Sequence, residues 1–227
     1  MKITAIETQS SNGERVNVHV DGAFRLALGA EIAFAEHLHV GDEVSEARLA
    51  ELEHMDLAWR AREAALSLLS FRPRTAAELR RRLVEKDFPA DVAAQVVERL
   101  DAMKLVDDAA FAEMFVRDRV RLKPKGRRVL AQELRVRGVD EDTALGAIDG
   151  VMQRGGTSDA DLARAAAGRW RPRAGEDPRK ARARLHAFLA RRGFNGDAIR
   201  EVADEVLARG GPASTDEDVD GVEGGGE

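Results

Sequence analysis

A repeated helical unit, present three times between residues 57 and 210, constrains the fold of this chain more than any other feature. A shift of the sequence by 51 residues places Leu83 on Leu134 and Leu100 on Val151, and a shift of 106 places Leu83 on Leu189. A unit of three short helices cannot bury both of its faces alone, so neighbouring units must share a core. We therefore predict a mainly α protein in which three tandem three-helix repeats form an elongated, curved body.

Helix-start and helix-stop signals set the limits of the three repeats. Each repeat carries apolar residues at three- and four-residue spacing in three segments, as amphipathic helices do. Thr75 followed by Glu78 fits a capping box, Asp107 is a good N-cap residue, and Asp177 with Pro178 opens a later helix. The predicted spans of repeats 1, 2 and 3 are residues 57–106, 107–154 and 155–210.

The first 56 residues show a different pattern, the alternation of apolar and polar residues that is typical of β-strands. Valines alternate with polar residues over 16–20, and the dipeptides Asn12-Gly13 and Asp21-Gly22 favour tight turns. Two helical stretches are predicted to follow, at residues 29–38 and 45–55. We predict a small β-rich extension of the α+β type, with a three-stranded meander, over residues 1–56.

Charge is segregated along the chain, although the formal net charge is only −5. Residues 1–56 hold 4 Lys+Arg and 11 Asp+Glu, a net of −7, and residues 57–211 hold 32 and 24, a net of +8. Residues 212–227 hold no basic residue and 6 acidic ones. The acidic, glycine-rich stretch 211–227 has almost no apolar content, so it is predicted to be a disordered tail. A basic body between acidic ends indicates an anionic partner.

Several classes of function lack their residues in this sequence. There is no cysteine, hence no disulfide, thiolate nucleophile or cysteine zinc site, and there is no Walker A loop or dinucleotide-binding glycine motif. The carboxylate pair Asp107-Asp108 is better explained as helix capping than as a metal or catalytic site. No apolar run could span a bilayer and no coiled-coil seam is present. We therefore expect a cytoplasmic, monomeric protein that is not an enzyme, uses no cofactor or metal, and has no membrane partner.

Positive charge recurs at the equivalent place in each repeat, around the start of its second helix. If the repeats stack, the three clusters form one basic stripe, which is the footprint of a protein that binds a polyanion or an acidic protein groove. The alternative is that arginine is simply a good, solvated helix former in an Arg-rich composition. The residues that we expect to make contacts are Arg72, Arg74, Arg81, Arg82, Lys123, Lys125, Arg127, Arg128, Arg191 and Arg192.

The middle repeat carries motifs that resemble those of the RecX family of bacterial recombination regulators. Residues 105–117 read LVDDAAFAEMFVR and are similar to that family's Leu-Asp-Asp-x-x-Phe-Ala-x-x-Phe-Val motif. Lys125-Gly126, Glu133-Leu134 and Gly138-Val139 match its second-helix pattern. Residues 69–83 resemble the signature of the first repeat, and residues 188–199 match the third more sparsely. The resemblance covers about residues 60–208, so residues 1–56 are expected to lie outside the common core as a lineage-specific addition.

The resemblance implies a regulatory protein that binds the RecA recombinase and inhibits it. Members of the family are understood to lie along the groove of the RecA–DNA filament, where they suppress ATPase activity, filament growth and strand exchange. The implied partners are RecA and single- and double-stranded DNA, and the implied processes are homologous recombination, DNA repair and the SOS response. The ten basic residues named above would then be RecA or DNA contacts with an electrostatic role.

Two other functions stay open at this point. A stand-alone, nonspecific helical DNA-binding protein is possible, since three-helix units can present a helix-turn-helix-like geometry. An enzyme such as a nuclease would need a carboxylate cluster, and the sequence offers none. A filament regulator should act far below the concentration at which it coats DNA, whereas a DNA-binding module should show its full effect on naked DNA.

Overall fold

The computed structural model describes residues 1–9 and 12–209, in which ten helices and three strands occur. The strands are β1 (Ile3–Gln9), β2 (Asn12–Val20) and β3 (Ala23–Gly29). The helices are α1 (Ala30–Ala35), α2 (Glu46–Phe71), α3 (Ala76–Val84), α4 (Ala90–Ala102), α5 (Asp108–Leu122), α6 (Arg127–Val136), α7 (Glu141–Arg154), α8 (Asp159–Ala167), α9 (Pro178–Arg191) and α10 (Gly196–Arg209). The mainly helical class is confirmed. The predicted tail, residues 211–227, lies outside the described residues.

The N-terminal strands form the predicted antiparallel meander, in the order β1-β2-β3. The apolar side of the sheet is buried with the first turns of α2, and Val18 and Leu28 are fully enclosed. The second turn is at Asp21-Gly22, where both residues have positive φ, as predicted. The first turn is not at Asn12-Gly13, because both residues belong to β2 and Asn12 pairs with Gln9.

One long helix replaces the helix predicted at 45–55 and the first helix of repeat 1, which was predicted to begin at residue 57. Helix α2 runs unbroken for 26 residues, so the predicted boundary between residues 56 and 57 falls inside it. The segment between the two predicted helices contains no glycine or proline, the residues that most often end a helix. Asp56 is buried at this point, where its carboxylate accepts hydrogen bonds from the Gly29 N–H at 2.9 Å and from Arg15 at 3.0 Å. The sheet is thereby fixed to the middle of α2.

The three-helix repeats are present as the spacing predicts. Repeat 1 comprises the C-terminal half of α2 with α3 and α4, repeat 2 comprises α5–α7, and repeat 3 comprises α8–α10. The second helix of every repeat buries two leucines one turn apart, and all six have no exposed surface. These leucines are Leu79, Leu83, Leu130, Leu134, Leu185 and Leu189. The predicted N-caps at Thr75, Asp107 and Asp177 also form.

The chain divides into two compact units. Unit 1 consists of Met1–Phe115 and Glu133–Ala147, and unit 2 consists of Val116–Gln132 and the chain from Ile148 onward. Each of the three helices of repeat 2 therefore contributes one part to unit 1 and another part to unit 2. Among the described residues, no helix has the length and apolarity needed to cross a membrane. Within the same residues there is no group of three or more His, Cys, Asp or Glu side chains that could hold a metal ion.

Candidate functional site

Two glycines end the second helices of repeats 2 and 3 and allow a close backbone approach. Gly138 and Gly193 have φ values of 84° and 85°, in the left-handed region that favours glycine. A Cβ at residue 138 would lie 2.1 Å from the Cβ of Ala77, and a Cβ at residue 193 would lie 2.7 Å from the backbone nitrogen of Val129. Each glycine therefore lets its repeat touch the second helix of the preceding repeat.

In unit 1 this approach forms a hydrogen-bonded connection that we call joint 1. The Thr75 hydroxyl donates to the Arg137 carbonyl oxygen at 2.6 Å and accepts from the Glu78 N–H at 3.1 Å. The Ala76 N–H donates to Asp108 Oδ1 at 2.8 Å. Two residues of repeat 2 thus help to close the N-terminus of α3, where backbone N–H groups have no partner within the helix.

Unit 2 contains the equivalent connection, joint 2, with different chemistry. The Gly126 N–H donates to the Arg192 carbonyl oxygen at 2.9 Å, and Arg128 donates to the Ala190 carbonyl oxygen at 3.0 Å. Arg127 pairs with Asp149, and its Nε lies 3.7 Å from Asp159 Oδ1. Arg127 and Arg128, both predicted contact residues, are therefore engaged in holding repeat 2 against repeat 3.

The two joints each enclose a carboxylate at an equivalent position. Burial raises the pKa of Asp108 above its ordinary value, although the Ala76 N–H opposes this. Burial likewise raises the pKa of Asp159, although the charge of Arg127 opposes it. Within the described structure Asp159 Oδ1 is buried without a hydrogen-bond partner, while its Oδ2 accepts from the Asn195 side chain at 3.0 Å. Joint 2 is the less completely satisfied of the two.

The same four-residue pattern, an apolar residue, a basic residue, proline and a basic residue, occurs at the end of the first helix in repeats 1 and 2 and three residues after it in repeat 3. The three copies are FRPR at 71–74, LKPK at 122–125 and WRPR at 170–173. Proline disfavours helical conformation in the residue before it, which explains why α2 and α5 end just before their prolines. The three clusters of positive charge were predicted, but the pattern that they share was not.

In repeat 1 the basic residues of this pattern are neutralised locally. Glu78 accepts from Arg72 at 2.5 Å and from Arg74 at 2.5 Å, and the Arg74 side chain is only 10% exposed. Burial alone would raise the pKa of Glu78, but the hydrogen bonds and charges of Arg72 and Arg74 outweigh it and lower that pKa. On the next turn Arg81 and Arg82 lie 3.6 and 2.8 Å from the Glu85 carboxylate.

In unit 2 the corresponding pattern borders a basic groove of about 930 Å³. The groove is lined by the end of α5, the following connector, the end of α8 and one side of α9. Seven of the lining residues are basic, and the described lining contains no carboxylate. These basic residues are Arg121, Lys123, Lys125, Arg169, Arg171, Arg184 and Arg192.

Two aromatic rings lie beside guanidinium groups in the groove. Arg184 lies 4.5 Å from the ring centroid of Trp170, and Arg192 lies 3.8 Å from that of Phe188. Arg184 also donates to both carboxylate oxygens of Glu176, at 3.0 and 2.9 Å, and this hydrogen bonding lowers the pKa of Glu176 to about 2. Stacking against a ring fixes the plane of a guanidinium and leaves its edge able to donate.

The structure thus distributes the ten predicted contact residues over three settings. Lys123, Lys125 and Arg192 come together in the basic groove. Arg127 and Arg128 belong to joint 2, and Arg191 is exposed on α9 outside the groove lining. The remaining predicted contacts lie in unit 1 beside Glu78 or Glu85, and they are Arg72, Arg74, Arg81 and Arg82. Arg169, Arg171 and Arg184 complete the groove and were not among the ten.

Comparison with known proteins places nearly the whole described chain in one family. Residues 107–148 match the second three-helix domain of RecX, residues 61–100 the first, and residues 158–203 the third. Residues 1–45 match the Regulatory protein RecX N-terminal domain. The expectation that the β-rich segment is a lineage-specific addition was therefore wrong. It was drawn from helix motifs alone, whereas a short meander offers few residues specific enough to compare.

Individual relatives give the same result. The chain is 29% identical over 204 residues to the Regulatory protein RecX of Bacillus subtilis (strain 168), a match covering 90% of this chain and 76% of that protein. It is 41% identical over 151 residues to the Regulatory protein RecX of Mycobacterium ulcerans (strain Agy99), covering 65% of this chain and 85% of that protein. Matches to two further relatives span about half of their length, 53% and 52%. A solved structure, "Crystal structure of regulatory protein RecX", superposes with a TM-score of 0.74 at 25% identity, covering 89% of this chain and 98% of that one.

Proposed function

The chain belongs to the RecX family of regulatory proteins, and from that premise we propose that it regulates the RecA recombinase. In this proposal it binds the RecA–DNA filament and inhibits its ATPase activity, growth and strand exchange. The basic groove of unit 2 holds the phosphate backbone of the DNA. RecA is the partner implied by the family motifs. The residues of this chain that we assign to DNA binding are those of the basic groove.

The observation that supports a role for the groove is its concentration of positive charge. Seven basic side chains converge on one concavity, and its described lining contains no carboxylate. Phosphate groups are the natural ligands of such a surface, because each neutralised phosphate releases condensed counterions. A concave wall also focuses the positive potential and speeds the association of an anionic partner.

The arrangement suits backbone contact better than the reading of base sequence. The lysine and arginine side chains present point charges and donors, which position a nucleic acid without specifying its sequence. The two rings of the groove are already stacked against arginines, and Trp170 is only 8% exposed. We therefore expect weak sequence preference and a strong dependence of affinity on salt concentration.

The test is the ATPase rate of RecA on single-stranded DNA, titrated with this protein from far below the RecA concentration. The groove variant carries Lys123→Glu and Arg169→Glu, both at exposed lining residues. The matched control carries Arg179→Glu and Lys180→Glu, exposed residues in the first turn of α9 outside the groove lining. Both variants change the net charge of unit 2 by the same amount.

We expect the unaltered protein and the control to inhibit at substoichiometric amounts, and the groove variant to require about tenfold more protein. The slope of log affinity for naked DNA against log salt should fall by about 2 in the groove variant alone. Inhibition only at concentrations that saturate the DNA would instead indicate a stand-alone DNA-binding protein. If the groove variant and the control lose inhibition of RecA to the same extent, the groove has no specific role in that inhibition.

A further inference from the structure

The basic groove concentrates seven like charges, and its described lining contains no carboxylate. Of its seven cations, Arg184 pairs with Glu176, and Arg121 lies 3.8 Å from Asp118. In repeat 1 the carboxylate of Glu78 neutralises the equivalent basic pair, but a shift of 51 residues places Val129 at that position in repeat 2. Basic groups in a concave, low-dielectric wall repel one another and raise the local potential. Such a groove favours an anionic occupant.

The same chain carries a suitable anionic segment. Residues 212–227 contain six Asp or Glu and no Lys or Arg. These acidic residues are Asp216, Glu217, Asp218, Asp220, Glu223 and Glu227. The number of carboxylates is close to the number of basic side chains in the groove, so the two are complementary in charge. The positive charge of the groove and the negative charge of the segment are thus separated along a chain whose total net charge is only −5.

The segment starts close enough to reach the groove. Helix α10 ends at Arg209 and packs against α8 and α9, which supply Ala166 and Arg184 to the lining of the groove. The 18 residues from 210 to 227 span up to about 60 Å when extended. A domain of about 100 residues has a radius of gyration of only about 13 Å. Tethering at this range gives an effective concentration on the order of millimolar.

We propose that the basic groove of unit 2 is a docking site for this chain's own acidic C-terminal segment, residues 212–227, which competes there with nucleic acid. The competition rests on the proposed function, which assigns the groove to a phosphate backbone. The docking itself does not, because it depends only on the charges of the groove and of the segment. While the segment occupies the groove, it would weaken the binding of isolated nucleic acid. A polymer with a higher density of phosphates would displace the segment.

The docking can be measured in the full chain by energy transfer from Trp170. The sequence has two tryptophans and no cysteine, so Trp59→Phe leaves Trp170 in the groove as the single donor, and Val222→Cys provides one attachment point for an acceptor dye. We expect strong transfer at about 0.05 M salt and its loss at about 1 M salt, where the Debye length falls to about 3 Å. Transfer that does not change with salt would overturn the proposal.

Two variants address the two sides of the contact. The groove variant, Lys123→Glu with Arg169→Glu, should abolish the transfer, whereas the control, Arg179→Glu with Lys180→Glu, should keep it. Neutralising the segment with Asp216→Asn, Glu217→Gln, Asp218→Asn and Asp220→Asn should also abolish the transfer, with the groove left intact. Circular dichroism confirms that each variant stays helical. Equal transfer in the groove variant and the control would contradict docking in the groove.

A last measurement separates this inference from the proposed function. An oligothymidylate added to the labelled chain should displace the segment and reduce the transfer. Neutralising the segment should tighten oligothymidylate binding by about tenfold at low salt and leave it unchanged at about 1 M salt. If the segment docks but oligothymidylate does not displace it, the segment occupies the groove and nucleic acid does not bind there. That result would contradict both the proposed function and the competition. Displacement without any effect on RecA would sink the proposed function alone.

Discussion

The connectors of repeats 1 and 2 have the same design and the opposite electrostatic result. Residues 71–75 and 122–126 are related by a shift of 51, and each places two basic residues around a proline before the second helix. In repeat 1 both basic side chains bind Glu78, whereas repeat 2 has Val129 at the same position. The first connector thus uses its arginines to hold its own repeat together, and the second presents its lysines in a groove.

This difference shows which parts of the repeat are required by the fold. The proline occurs in both connectors and two buried leucines occur in both second helices, because the helices end and pack in the same way. The carboxylate on the first turn of the second helix is not required, since one repeat has it and the other does not. A charge that the fold does not require is open to functional use, and in repeat 2 Val129 stands in place of that carboxylate.

Gly126→Ala should have the largest effect on stability among the substitutions that distinguish repeat 1 from repeat 2. It breaks joint 2 and leaves joint 1 intact. A Cβ at residue 126 would lie 2.2 Å from the Gly193 carbonyl oxygen, a backbone atom that cannot move aside. We expect the free energy of unfolding to fall by about 3 kcal/mol, from overpacking and from loss of the Gly126 N–H bond to Arg192. Denaturant unfolding followed by circular dichroism measures it.

Gly146→Ala is the matched control for this substitution. Gly146 lies within α7, and a Cβ there would meet nothing within 4 Å. Because alanine is the better helix former, the free energy of unfolding should rise by up to about 1 kcal/mol. A loss for Gly126→Ala as small as the change in the control would mean that joint 2 does not hold its repeats together.

Glu78→Gln should reduce stability by about 2 kcal/mol at pH 7, since it leaves Arg72 and the largely buried Arg74 without a carboxylate. The pKa of Glu78 is lowered in the folded protein, so its contribution is fully present above its ordinary value of 4.5 and is lost as the pH falls through the folded pKa. The difference between the two proteins should therefore narrow below about pH 4.5. A difference that is constant with pH would mean that the charge of Glu78 is not what stabilises the connector.

Val129→Glu supplies repeat 2 with the carboxylate of repeat 1, and so converts the second connector to the first type. We expect the affinity for oligothymidylate to fall about tenfold, equivalent to about 1.4 kcal/mol, because the new charge lies beside the connector lysines. The control is Val136→Glu, which adds the same charge at a 70% exposed residue outside the groove. Anisotropy titrations in which the two variants weaken binding equally would contradict the comparison.

Asp159→Asn should have the smallest effect and tests the incompletely satisfied carboxylate of joint 2. Burial raises the pKa of Asp159, so the folded state favours the protonated carboxyl. The contribution of that protonated carboxyl to the stability of the fold is lost as the pH rises through the folded pKa. At pH 7 the asparagine variant should match or exceed the unaltered protein by up to about 1 kcal/mol, and this advantage should vanish near pH 4. Thermal unfolding at pH 7 and at pH 4 measures this. An asparagine variant that is less stable than the unaltered protein at pH 7 would contradict the prediction.

The helices and their caps could be predicted because their signals are local. The apolar spacing of the helices and the caps at Asp107 and Asp177 all lie within a few residues of the structure they specify. The turn at Asn12-Gly13 was wrong by a few residues because a two-residue signal does not fix the register of a strand pair. That register depends on the partner strand, which pairs Gln9 with Asn12.

The joints and the groove could not be predicted because their partners are distant in the sequence. Asp56 binds groups 41 and 27 residues away, and the Thr75 hydroxyl binds a carbonyl 62 residues away. The basic clusters were found as runs of charge, but a run does not reveal that Glu78 neutralises one cluster. The groove combines three separate segments of unit 2, and the apolar-basic-proline-basic pattern marks only two of them.

The start of α9 differs in chemistry from the starts of α3 and α6. The Thr75 hydroxyl and the Gly126 N–H each donate to a carbonyl oxygen of the following repeat. Asp177 accepts from the backbone N–H groups of Arg179 and Lys180, so a side chain of repeat 3 itself closes the start of α9. The start of the second helix is therefore a point of attachment between repeats in α3 and α6 and a local cap in α9.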